Sequence, residues 1–90
     1  MLPLIPVYRK QFHKDLKLMI KRGKTVEKIK IVMETLRNQL PLALRYQDHS
    51  LKGEYADCRE CHIEPDWLLV YCLQETEIVF MRTGSHSDLF

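Results

Sequence analysis

Residues 58–84 read CRECHIEPDWLLVYCLQETEIVFMRTG, the clearest strand pattern in the chain. Its period is near two, and Val70, Tyr71, Ile78, Val79 and Phe80 are the β-branched and aromatic types that suit a pleated sheet. Three strands are predicted: Cys58–Glu64, Trp67–Leu73 and Glu77–Thr83. Pro65-Asp66 and Gln74-Glu75-Thr76 form the short polar turns between them. Gly84 breaks the last strand and leaves a short tail, Ser85–Phe90.

Upstream of this stretch the period changes. From Arg9 to about Arg22, Phe12, Leu16, Met19 and Ile20 recur at helical spacing, while Lys10, Lys14, Lys17 and Lys21 ride the other face. Gly23 is a natural stop. Thr25 can cap a second helix running to about Leu40, with Val26, Ile29, Met33, Leu36 and Leu40 as its apolar face and Pro41 closing it. The two helices make an αα-hairpin. Residues 41–57 have no clear period and read as loop. Leu4–Tyr8 can be a strand, confined to an edge or a strand end by Pro3 and Pro6. Helices first and strands later imply an α+β fold: an N-terminal strand and a two-helix hairpin packed on a small antiparallel β-sheet.

The chain has 90 residues, which makes residues 1–90 one domain with no room for a second. Surface scaling gives about 5,500 Å² exposed when folded, leaving a modest core. The longest strictly apolar run is Trp67–Val70, far short of the roughly 20 residues of a membrane-spanning helix. The N-terminus is apolar first and basic after, the reverse of a secretory signal. A soluble, cytoplasmic protein is expected, with no membrane partner. Charge is split along the chain: residues 1–47 hold eleven Lys/Arg against three Asp/Glu, and residues 48–90 hold three against nine. A basic first half could grip a polyanion through phosphate contacts, or its cations could simply coat solvated helix faces.

Cys58-Arg59-Glu60-Cys61-His62 matches the string of c-type haem attachment and offers half a zinc site. Neither reading is expected. Haem attachment follows export, zinc needs a second ligand pair, and a strand puts Cys58 and Cys61 on opposite faces. Cys58 then shares a face with Glu60, His62 and Glu64. No haem, metal or other cofactor is anticipated, and Cys61 and Cys72 are expected as small buried hydrophobes in a reduced compartment.

Three blocks in order carry a resemblance: Asp48-His49-x-Leu51-x-Gly53, then Arg59-Glu60-Cys61-His62-Ile63-x-Pro65-Asp66-Trp67-Leu68-Leu69-Val70-Tyr71, then Arg82-Thr83-Gly84-Ser85-His86-Ser87-Asp88-Leu89-Phe90. Together with Phe12-His13-Lys14-Asp15-Leu16-Lys17 and Tyr46-Gln47-Asp48-His49, the chain resembles the YafQ-type toxins of the RelE superfamily over nearly its whole length. The resemblance implies a RelE-like fold and the toxin of a bacterial type II toxin–antitoxin pair. Such a toxin is a ribosome-dependent endoribonuclease, an mRNA interferase, whose partners are mRNA, the ribosome with its rRNA, and a cognate antitoxin that silences it.

The chemistry fits the residues. Metal-free RNA cleavage needs a base for the 2′-OH, an acid for the departing 5′-oxygen, and a cation for the phosphate charge. Histidine, with an ordinary pKa of about 6.5, serves either of the first two roles. Arginine serves the third. The resemblance implies a catalytic set of His49, His62, Asp66 and His86. His86 on the tail after Gly84 is the expected acid, His49 or His62 the base, and Asp66 the residue that orients a histidine or shares proton transfer. Arg82 would hold phosphate, Trp67 and Phe90 would stack on bases, and Glu60 would stand on the His62 face of its strand. His13 is expected on the surface. The alternative reading is a non-catalytic RNA-binding or regulatory module on the same fold.

Overall fold

The computed structural model describes residues 2–90. The order is β1 (Ile5–Tyr8), α1 (Lys10–Lys21), α2 (Val26–Arg37), β2 (His49–Ser50), β3 (Cys58–Glu64), β4 (Trp67–Leu73), β5 (Glu77–Gly84) and α3 (His86–Leu89), with 3₁₀ turns at Leu44–Tyr46 and Gly53–Tyr55. The strands form one sheet in the order β1-β5-β4-β3-β2. The accessible surface is 5964 Å².

The strand meander of residues 58–84 is as predicted, but the sheet is mixed rather than wholly antiparallel. β1 joins the edge of β5 in parallel, with Ile5 opposite Glu77 and Tyr8 opposite Phe80. A parallel pair needs a long crossover, and the helical hairpin with the rest of the chain supplies it. Pro6 sits on this edge strand, where a missing N–H breaks no ladder. The segment expected as plain loop contains β2, which pairs His49 with Glu60 and Ser50 with Arg59. Two residues are too few for a period to show.

The helical hairpin packs on one face of the sheet. Phe12, Met19, Ile29, Val32 and Leu36 meet Cys61, Ile63, Trp67, Leu69, Tyr71, Ile78 and Phe80 in the core. Ile20 and Leu40, expected on the apolar faces, are exposed, and Asp15 is buried instead. Gly23 ends α1 with φ +89°. Its N–H donates to the Ile20 carbonyl at 3.0 Å, and the Lys24 N–H donates to Met19 at 3.0 Å, the paired bonds of a Schellman stop. α2 stops the same way before Leu40: Gln39 takes φ 59°, and Leu40 N–H donates to the Thr35 carbonyl at 3.1 Å. Gln39, not Pro41, therefore closes the helix. Thr25 stands at the start of α2 without a side-chain cap bond.

Two further expectations are corrected. Cys58 and Cys72 form a disulfide across β3 and β4, because the register sets them directly opposite with Cα atoms 4.2 Å apart. Only Cys61 is a free, buried thiol, and burial pushes its pKa up to about 12. The tail is also not a loose end. α3 opens with a capping box in which Ser85 Oγ accepts from the Asp88 N–H and the Asp88 carboxylate accepts from the Ser85 N–H at 2.8 Å. Arg22 at the end of α1 grips Asp88 at 2.6 and 3.1 Å. That ion pair and the Ser85 N–H hold the Asp88 carboxyl well below the usual carboxylate range. Gly84 makes the packing possible, since a Cβ there would lie 3.0 Å from Asp88 Cβ.

Candidate active site

The sheet face opposite the helical hairpin carries Glu60 and His62 of β3, because alternation sends Cys61 and Ile63 into the core. β2 brings His49 beside Glu60, and the loop–helix junction after β5 brings His86 to the end of the same row. The imidazole rings of His49 and His62 are 6.3 Å apart, and those of His62 and His86 are 5.7 Å apart. Three histidines separated by 13 and 24 positions in the chain thus lie side by side. His13 packs instead against Tyr8 and Phe12.

Two of the three imidazoles, His49 and His86, are held by hydrogen bonds. His49 Nδ1 donates to the Gln47 carbonyl at 2.7 Å, which leaves Nε2 unprotonated in the neutral ring. The approach to β2 is pinned from below: the Asp48 carboxylate accepts from the Tyr71 hydroxyl at 2.5 Å and from Arg59 Nε at 3.3 Å. Burial, with the Asp48 charge beside it, raises the Tyr71 pKa, so the phenol stays a donor. The buried Glu60 places Oε1 3.6 Å from Nε2 of both His49 and His62, beyond hydrogen-bond reach. Asp66, in the β3–β4 turn, accepts from the His86 backbone N–H at 2.9 Å and from His86 Nδ1 at 2.6 Å. Those two bonds, backbone first, hold the Asp66 carboxyl below its ordinary value. His86 Nε2 is left free.

The other expected residues divide. Arg82 flanks the row and is held by Asp15 through Nε at 2.7 Å and Nη2 at 3.2 Å. Phe90 is 64% exposed and meets Tyr55 edge-on at 6.4 Å, so its face is available. Trp67 is a correction. It has no exposed surface, its Nε1–H donates to Thr83 Oγ1 at 2.9 Å, and it packs in the core, so it cannot stack on a base from this position. Two hollows border the site. One, of about 380 Å³, is lined by Arg45, Tyr46, Gln47, His62 and Glu64. The other, of about 900 Å³, is a wide groove running from Tyr8, Arg9 and Lys10 past Val79 to Tyr55 and Arg82. Sequence reading missed Asp15, Arg45, Tyr46 and Tyr55. Asp15 has a signal in its spacing, since it falls three residues after Phe12 and four before Met19, on the face that must be buried, and Tyr46 stands in one of the blocks that carry the resemblance.

Among the described residues no helix is long and apolar enough to cross a membrane, and no group of three or more His, Cys, Asp or Glu side chains is arranged to hold a metal ion. Residues 5–90 match the family described as bacterial toxin of type II toxin-antitoxin system, YafQ. The chain is 45% identical over 84 residues to the mRNA interferase toxin YafQ of Escherichia coli K12, covering 92% of this chain and 91% of the relative. Among solved structures it superimposes on the E. coli DinJ–YafQ toxin–antitoxin complex with a TM-score of 0.91 at 42% identity, covering 99% of each chain. A metal-bound toxin from Helicobacter pylori gives a TM-score of 0.91 at 44% identity, covering 97% of this chain and 99% of that one.

Proposed function

The chain belongs to the YafQ family of bacterial toxins of type II toxin–antitoxin systems, and we propose that it is an mRNA interferase that cuts mRNA on the ribosome by histidine acid–base chemistry and is silenced by a cognate antitoxin. The reading is supported most by the row of His49, His62 and His86, together with the hydrogen bonds from His86 to Asp66.

In this mechanism the 2′-oxygen bonds to phosphorus while the P–O5′ bond breaks. The 2′-OH proton passes to Nε2 of His49 or His62, and Glu60 stabilises the imidazolium that forms there. His86, with Nδ1 occupied by Asp66, gives its Nε2 proton to the 5′-oxygen. Arg82 neutralises charge on the non-bridging oxygens. The products are a 2′,3′-cyclic phosphate and a 5′-hydroxyl. Phe90 offers an exposed aromatic face to a base. Lys10, Lys14, Lys17 and Lys21 of α1 supply the cationic surface for rRNA or mRNA phosphates.

The test is induced expression in a bacterial host with mapping of mRNA ends. Wild type should arrest growth and leave cyclic-phosphate ends in translated mRNA. His86→Ala should melt like wild type and cut nothing. Persistent cutting by that variant would overturn the assignment of the acid, and protection of RNA without new ends would favour a non-catalytic binder.

A further inference from the structure

In an unbroken β5 the alternation that buries Ile78 and Phe80 would bury residue 82 as well. It does not, because the register slips. Tyr71 pairs with Phe80, but Val70 pairs with Arg82, which leaves Met81 as one extra residue in β5. Beyond this bulge the faces exchange. Arg82 falls opposite Val70, Val70 opposite Glu60, and Glu60 opposite His49, so the arginine joins the histidine row. Thr83 takes the core side and receives the Trp67 N–H.

A bulge aims a backbone position but does not fix a long guanidinium side chain. β1 pairs with β5 only as far as Phe80, so the next residues of that edge are open to α1. There Asp15, only 8% exposed, accepts from Arg82 Nε and Nη2, from the Thr83 N–H at 3.2 Å and from Gln11 at 3.0 Å. One carboxylate therefore holds the bulged backbone and the side chain that the bulge redirects. The two-point pairing leaves Nη1 as the corner of the guanidinium outside the ion pair.

We propose that Asp15 is a positioning residue for cleavage: from α1, away from the histidines, it locks Arg82 so that the corner outside the ion pair meets the phosphate in the transition state. This rests on the nuclease reading above. A carboxylate that merely tied α1 to the sheet would change stability and leave catalysis alone in the folded protein.

The test is a double-mutant cycle of Asp15→Asn and Arg82→Ala, read as the single-turnover cleavage rate on ribosomes programmed with mRNA, with each variant's melt measured alongside. Asp15→Asn keeps an acceptor oxygen and the side-chain volume but loses the charge. It should slow cleavage roughly 10-fold at saturation. In the Arg82→Ala background the same change should cost less than about twofold, since there is no guanidinium left to position. The Arg82 Nε–H resonance should lose its exchange protection in Asp15→Asn. Losses that multiply, or wild-type cleavage by Asp15→Asn, would overturn the positioning role while leaving the nuclease reading intact. An inert wild type would overturn both.

Discussion

Gly84→Ala tests whether the placement of His86 depends on the seat of α3. The added Cβ would lie 3.0 Å from Asp88 Cβ and 3.1 Å from Asp88 Oδ2. Unstrained carbon contacts lie at about 3.5–4.0 Å, so α3 must move by several tenths of an ångström or Asp88 must leave its box. Loss of a helix cap costs about 1 kcal/mol, which is about 4–8 °C in Tm for a domain of this size. His86 follows two residues later, and its 2.6 Å bond to Asp66 has little tolerance for that movement. A displacement of about 1 Å at a reacting group costs roughly 100-fold, so cleavage should fall about 10- to 100-fold. Gly23→Ala is the matched control. It too should cost about 1 kcal/mol, because φ is +89°, but the added Cβ meets nothing within 4 Å and does not press on Asp88. Melts and cleavage rates of both variants separate the two effects. Wild-type cleavage by Gly84→Ala, or an equal loss in both, would show that the seat of α3 does not set the position of His86.

Trp67→Ala should destabilise by about 3–5 kcal/mol as a core truncation, whereas Phe90→Ala should leave Tm unchanged and slow cleavage, which a paired melt and rate measurement checks. Gln39→Gly should stabilise by about 0.5–1 kcal/mol by relieving the left-handed backbone at the end of α2, seen as a higher denaturant midpoint. Glu64, beside Lys24 and Lys28, joins Asp66 and Asp88 in having a depressed pKa. Such groups contribute stability above the unfolded carboxylate value near 4 and lose it as pH falls through the folded values. Tm should therefore drop below about pH 4, and less steeply in Asp88→Asn, so a Tm that rises on acidification would contradict this.

Strands β3 to β5 are legible because each is seven or eight residues bounded by a polar turn or glycine, and β4 and β5 are rich in β-branched and aromatic types. β2 was not, because its two residues pair only once β3 exists. The bulge at Met81 is a register event, and register is set by tertiary pairing rather than by a strand's own pattern. The same holds for the Cys58–Cys72 disulfide, which depends on which residues face each other across a turn. Gln39 hid the end of α2 because left-handed stops are read from glycine. The histidines were picked out by resemblance to a family. Their spatial order, with His62 between the other two, needed the sheet. Stacking by Trp67 is implied only by the resemblance, which names the position without saying which way the ring turns, whereas a lone tryptophan in a strand is usually core and alternation with Leu68 points it inward. Asp15 stands in the block Phe12–Lys17 that carries the resemblance, and its spacing from Phe12 and Met19 places it on the buried face, but the partner it meets there, Arg82, lies 67 positions away and is brought to it only by the fold.

Protonation of the leaving oxygen by His86, while another imidazole takes the 2′-proton, can be isolated with an mRNA bearing sulfur in place of the 5′-bridging oxygen at the cut site. A thiolate departs without a proton, so this substrate should restore His86→Ala to within a few-fold of wild type and leave the variant of the base, His49→Ala or His62→Ala, impaired. A His86→Ala protein as inactive on sulfur as on oxygen would contradict the account.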